Sequence, residues 1–252
     1  MTEHIPWRTP CQGLAQIFNY NRPLYLRTAA AIMLAIVVSI YAPPSIRVLI
    51  ALATAIAVFW TCSSLLVSHY VYDRSGLYNF CWLPGCLSRS PERWVNIHAG
   101  LDESSLALKS MFFASEGQAV DIYDGRKMTE PSIRRARLLA GVSVAASGGE
   151  QLRARDDTFD AAFLIFVAHE LRHDEDRVRL CQEIRRVLRG GGELILVEHL
   201  RGWANFLAFG PGFFHFFSKR TWGAAASSAG LRMRLHTTVT PFVHVFVFQK
   251  QQ

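Results

Sequence analysis

The hydrophobic positions of this chain fall into two regimes. From Thr28 to Ala42 the sequence TAAAIMLAIVVSIYA carries no charge, and after Pro43, Pro44 and Arg47 a second run, VLIALATAIAVFWTCSSLLVS, extends from Val48 to Ser68. A helix needs about 20 apolar residues to cross roughly 30 Å of hydrocarbon, and the second run has that length. The first reaches it if the helix starts near Leu24 and Arg27 snorkels toward the headgroups. Paired prolines interrupt a helix, so the pattern predicts a tight hairpin of two transmembrane helices over residues 24–68. A cleaved signal fits poorly, because polar and aromatic residues precede the first apolar run and a longer run follows it. Arg8, Arg22 and Arg27 precede the first span and only Arg47 lies in the turn, which predicts a cytoplasmic N-terminus and a cytoplasmic domain after the second span. A helical hairpin buried inside a soluble protein is the alternative.

From Trp94 onward, strand-like runs alternate with helical ones. WVNIHAG predicts a first strand and its exit, Asp102 to Phe113 a helix, GQAVDIYD a second strand, and Thr129 to Ala140 a second helix. FDAAFLIFVA, from Phe159, is a continuous apolar strand of the kind covered on both faces. Asp174 opens a helix in which Val178, Cys181, Ile184, Val187 and Leu188 recur at helical spacing, and Gly190 to Gly192 stop it. GELILVE is the next buried strand, and two more strands flank Thr240-Pro241. This alternation predicts an α/β fold: a mostly parallel, Rossmann-like sheet with helices on both faces and a final antiparallel pair. The expected divisions are an N-terminal segment (1–23), the hairpin (24–68), an aromatic connector at the membrane interface (69–93) and the α/β domain (94–252).

Composition narrows the class. Half of the residues are hydrophobic and only 19% are charged, which excludes a disordered chain. The five cysteines are odd in number and scattered, which excludes a disulfide scaffold. Cys81 and Cys86 have no second Cys/His pair at zinc spacing, so no metal is assigned to them. A net charge of +7 admits nucleic acid or an anionic membrane. The arginines responsible, Arg134, Arg135, Arg137, Arg172, Arg177, Arg179, Arg185, Arg186 and Arg189, lie on predicted helices of a tethered domain. Membrane lipids are therefore the expected partner rather than nucleic acid.

The block from Leu152 to Leu200, LRARDDTFDAAFLIFVAHELRHDEDRVRLCQEIRRVLRGGGELILVEHL, resembles the central block of class I S-adenosylmethionine-dependent methyltransferases of the ubiquinone/menaquinone type. The resemblance implies that the donor, S-adenosylmethionine, lies across the C-terminal edges of the first, second and fourth family strands. On this chain those edges carry Asn96, His98, Ala99, Gly100 and Asp102, then Asp121 and Asp124, and Phe166 onward. The resemblance also implies an acid for the ribose hydroxyls, expected at Asp124 from its spacing to Met128, with Asp121 second. The position of the family's adenine acid falls on Gly148 or Gly149. The first motif departs from the family pattern: NIHAGLD keeps Gly100 alone of the three glycines that let backbone approach the donor closely. A non-catalytic membrane protein that retains the fold but has lost the donor site is thus a second reading.

His169 and Glu170, at the exit of the apolar strand, are candidates for taking a proton from the acceptor, and His199 joins them as a catalytic candidate. His169-Glu170-Leu171-Arg172-His173 also spells H-E-x-x-H, the zinc protease motif. The motif follows a strand, and its helix starts only after His173, so the two imidazoles do not share a helical face. After the next strand comes GWANFLAFGPGFFHFFSKRTW. This aromatic stretch predicts a lipophilic acceptor or a segment at the membrane interface. Glu198, Arg201, Asn205, Phe209, Phe213 and His215 are the expected substrate-binding residues. The expected activity is methyl transfer to a lipophilic small molecule by a membrane-anchored enzyme.

Overall fold

The structure, a computed structural model, describes residues 8–143 and 152–251. Two long helices come first, α1 (Gln12–Tyr41) and α2 (Pro44–His69), packed as an antiparallel hairpin whose turn is Ala42-Pro43. Pro44 opens α2 at a position where its missing N–H costs nothing. Helix α1 starts at Gln12, well before Leu24, because the domain supplies its cap. Both carboxylate oxygens of Asp73 accept from the first turn, Gly13 N at 2.7 Å and Leu14 N at 3.1 Å. Beyond that foot the hairpin is not covered by protein. Leu34, Ile40, Leu49, Leu52 and Phe59 are among many exposed apolar side chains, and both helices are long and apolar enough to cross a membrane. Neither helix is a core helix of the domain.

The domain contains a six-stranded sheet in the order β2-β1-β3-β4-β6-β5: β1 (Arg93–His98), β2 (Glu116–Asp121), β3 (Phe159–Ile165), β4 (Leu188–His199), β5 (Leu231–Thr240) and β6 (Val243–Lys250). The first four pair in parallel, and β6 lies antiparallel between β4 and β5. Helices α3 (Ser105–Met111), α4 (Pro131–Leu139), α5 (Asp174–Val187), α6 (Trp203–Phe209) and α7 (Lys219–Ser228) connect them. Gly190 to Gly192 belong to the start of β4, not to a loop after α5. In β3 and β4 successive residues point to opposite faces. Ala162, Leu164, Leu194 and Leu196 join the core under α5 and α7, whereas Ala161, Phe163, Ile195 and Val197 join the other core. Both faces are buried, which is why these strands read as unbroken apolar runs.

The second core revises the reading of the connector. Val71, Leu77, Tyr78, Phe80 and Leu83 are buried against the sheet face that α3 leaves open. Their aromatic character serves packing rather than the headgroup layer. The arginine helices change as well. Arg137 and Arg177 are buried, Arg186 is paired with Glu183 and Asp156, and Arg189 with Asp160. Much of the positive charge is therefore neutralised inside the domain.

Candidate active site

The C-terminal ends of the parallel strands meet the foot of the hairpin. On the first side, β1 leads into a tight turn in which His98 Nδ1 accepts from Gly100 N at 3.1 Å, and Gly100 adopts φ 110°. That left-handed backbone suits glycine and lets another group approach closely. Asn96, buried in β1, donates to Asp102 Oδ1 at 3.0 Å, and Asp102 also accepts from Ser105 N at 2.9 Å, which fastens the loop to the start of α3. These two residues shape the loop.

The two acidic candidates after the second strand sit in different places. Asp121 ends β2 opposite His98, while Asp124 lies in the following turn and accepts from Arg126 N at 2.9 Å. Backbone and side-chain bonds from Arg126 hold Asp124 below the usual carboxylate range despite burial. Asp121 thus takes the position at the strand end, ahead of Asp124. Its partner is Arg137 of α4, whose Nη1 lies 2.8 Å from Asp121 Oδ2 and 2.9 Å from Ala99 O. The guanidinium stacks on the Tyr123 ring at 4.0 Å, and a Cβ at Gly100 would collide with it. Arg137 is the residue that sequence reasoning missed, because a helical arginine gives no sign of pointing inward. Gly148 and Gly149 lie outside the described residues.

On the second side, β3 is followed directly by Phe166 at φ 54°, an uncommon conformation for a residue with a side chain. The chain then turns through Ala168–Glu170. His169 Nδ1 lies 2.8 Å from Glu198 Oε2, and its backbone N donates to Glu198 Oε1 at 3.2 Å. Nε2 lies 3.4 Å from Glu170 Oε1. Burial opposes a charge on this imidazole, yet Glu198 and Glu170 outweigh it and raise the pKa to about 10. Burial likewise works against the Glu170 carboxylate, but His169 holds it below its ordinary value. His215 reaches the same place from the segment Gly210–His215, with its ring 5.1 Å from that of His169. Burial and the charge on His169 lower its pKa to about 4.

His199 does not share this role. Its Nδ1 faces the Phe242 carbonyl at 2.9 Å and must carry the proton, so Nε2 accepts from Tyr72 Oη at 2.9 Å. Buried, with both nitrogens engaged, it is a neutral packing residue whose pKa burial lowers to about 3. It anchors an aromatic wall: Phe166 stacks on one side at 5.1 Å and Phe216 at 4.9 Å, with Phe209 edge-on. Asn205 donates to Leu200 O and Phe242 O, and Arg201 to Phe214 O and Phe216 O. Both shape the wall instead of facing a substrate. Phe213 packs on Phe206, which lies against Trp60 of α2. The wall is therefore continuous with the hairpin.

The donor-side loop is tied to the hairpin too. Glu103 accepts from Arg8 at 3.3 Å, Gln16 at 2.5 Å and Tyr78 at 3.0 Å, so the start of α1 is clamped beside the turn after β1. Both walls of the sheet edge consequently lean on the hairpin.

Residues 103–196 match a family model described as a methyltransferase domain. No curated protein matches the chain. Among solved structures, human N-acetylserotonin methyltransferase in complex with SAM is 13% identical with a TM-score of 0.56, over 98% of this chain and 72% of that one. The PH0226 protein from Pyrococcus horikoshii is 17% identical, TM-score 0.52, over 71% of this chain and 91% of that one. The [4+2]-cyclase SpnF is 15% identical, TM-score 0.50, over 71% and 81%. Residues 103–196 are thus similar to a methyltransferase domain, and the sheet that carries them has the fold of these solved structures.

Proposed function

We propose that this domain takes a methyl group from S-adenosylmethionine and transfers it to a lipophilic acceptor at the surface of a membrane that holds the hairpin. The observation that carries the reading is the continuity of three surfaces. The methyltransferase sheet edge, the aromatic wall of β4 to α7 and the uncovered apolar hairpin form one face, through Trp60, Phe206 and Tyr72.

The residues on the donor side fit S-adenosylmethionine. Asp121 would hold the ribose hydroxyls and the Ala99–Gly100 backbone would lie against the methionine moiety. Arg137, a buried guanidinium at the same turn, would pair with the methionine carboxylate in place of the missing glycine-loop amides. When bound, the donor supplies an electrophilic methyl on a sulfonium, and the protein supplies position. His169, held in its charged form by Glu198 and Glu170, stands at the acceptor side and would orient the acceptor, whose proton would pass to the unpaired carboxylate oxygen of Glu170 beside it. Phe166, Phe209 and Phe216 would enclose an apolar body.

Arg137 also supports a second reading. It already fills the Gly100 turn and engages Asp121, as expected of a chain that keeps the fold without the donor. Calorimetry with the full-length protein in detergent separates the two. Under the proposed function S-adenosylmethionine binds, and both Asp121→Asn and Arg137→Met weaken it at least tenfold, about 1.4 kcal/mol. Absence of binding by the folded protein at millimolar donor favours the second reading. Transfer of a labelled methyl group into the organic phase of a membrane extract identifies the acceptor as lipophilic.

A further inference from the structure

The H-E-x-x-H spelling in the sequence is not realised as a helical pair. His173 is exposed at the N-terminal boundary of α5, away from the buried turn that holds His169 and Glu170. Its place is taken by His215, forty-odd residues later in the chain. One ligand atom each from His169, Glu170 and His215 lie within 4.8 Å of one another. We propose that these three residues form a binding site for a divalent transition-metal ion, zinc by ligand type, with one position open to an oxygen ligand.

Four observations support it. The first is an unsatisfied acceptor: Glu170 is 7% exposed, and its Oε2 is buried with no hydrogen-bond partner. Leaving such an oxygen unpaired costs about 1–3 kcal/mol, and a cation removes that cost. The second is orientation. Glu198, fully buried, holds Nδ1 of His169 at 2.8 Å and turns Nε2 toward Glu170. A carboxylate behind a ligating imidazole is the arrangement that fixes metal-binding histidines. Glu130 lies 3.5 Å from Nδ1 of His215, a looser carboxylate contact behind the second imidazole.

The third is charge. Glu130, Glu170 and Glu198 surround the site, and Arg172 is the fixed cation beside it, a net charge of about −2 before the proton on His169 is counted; an ion at Nε2 takes the place of that proton and meets the remaining deficit. The fourth is geometry. Zinc bonds to nitrogen and oxygen of about 2.0–2.1 Å separate tetrahedral ligands by roughly 3.3 Å. His169 Nε2 and Glu170 Oε1 stand at 3.4 Å. Arg172 Nη1 donates to His169 O at 3.3 Å and His215 O at 2.7 Å, so the two ligand-bearing segments are held together before any ion arrives. Two histidines and a glutamate with one open position is a ligand set that zinc enzymes use for chemistry. Only the use of the ion here, polarising an acceptor oxygen beside the donor, rests on the function proposed above.

The test uses full-length protein in detergent, stripped with chelator and titrated with Zn²⁺ or Co²⁺ in the absence of any methyl donor. One ion per chain is expected. His215→Ala and Glu170→Gln should weaken binding at least tenfold, Glu198→Gln about ten- to a hundredfold, and His173→Ala not at all. Cobalt reports the ligands: a d–d spectrum without a thiolate charge-transfer band supports the site even if a variant fails to fold. A thiolate band would assign the ion to the exposed cysteines and overturn the proposal, as would loss of binding in His173→Ala alone or no stoichiometric binding. Failure of this titration leaves methyl transfer untouched, and failure of donor binding leaves the metal site untouched.

Discussion

His199 ends β4 and His169 lies in the turn that follows β3, at the same edge of the sheet, yet the two differ in charge. What separates them is the identity of the nearest groups. His199 faces a carbonyl and a phenol, so its neutral form is favoured, whereas His169 faces two carboxylates, so its charged form is favoured. The pH consequence for His199 follows from its depressed value. The unfolded imidazole binds its proton near pH 6.5 and the folded one only near 3, so the unfolded state holds more protons between those limits. Its contribution to stability is complete above pH 6.5 and declines as the pH falls through that window, by about 1.4 kcal/mol per unit. His215 and His244, both lowered to about 4, act in the same direction. Denaturant unfolding between pH 7 and 4 should therefore show a shallower acid slope in His199→Phe than in the parent chain. At pH 7 that variant should lose about 1–3 kcal/mol, because the Tyr72 hydroxyl is left unpaired and the Phe242 carbonyl keeps only Asn205.

The elements that matter most to the site are those joining hairpin and sheet. Gly210, between α6 and the segment that carries His215, has φ 54°, and the Trp60 indole of α2 lies where a side chain would be. Gly210→Ala should destabilise the full-length protein by about 1–3 kcal/mol, through strain at positive φ and collision with Trp60. Thermal unfolding in detergent measures the loss. Trp60→Ala in the Gly210→Ala background should recover part of it, since the collision is then absent; full additivity would show that the two residues are not in contact. The connector belongs to this scale too. It buries Leu77, Phe80 and Leu83 where a methyltransferase-type sheet face needs cover, so it is a structural part of the domain.

Over the whole molecule, the distribution of apolar surface divides the chain. Exposed Leu24, Leu34, Ile40, Leu49, Leu52 and Phe59 cluster on the hairpin beyond its clamped foot. Full-length protein is expected in the membrane fraction and to resist carbonate extraction. Paired lysines at Leu52 and Ile56 should release it, because each charge near the centre of a span costs about 2.5–3.5 kcal/mol on the insertion scale. Recovery of the parent chain as soluble monomer without detergent would remove the membrane from the proposed function.

Periodicity and local composition determined much of this by themselves. The hairpin, the alternation of strands and helices, the doubly covered β3 and β4, and the block around FDAAFLIFVAHE were all legible, because burial imposes a period of 2 or 3.6 on neighbours in sequence. Tertiary structure decided whatever depends on residues distant along the chain. It put Asp121 at the end of the strand and Asp124 in the turn beyond it, turned Arg137 from a surface charge into the partner of Ala99 and Asp121, and made His199 a packing residue. It also replaced His173 with His215 beside His169. In each case the deciding contact joins segments that pattern cannot pair, since a side chain's charge and direction depend on which groups the fold brings within a few ångströms of it.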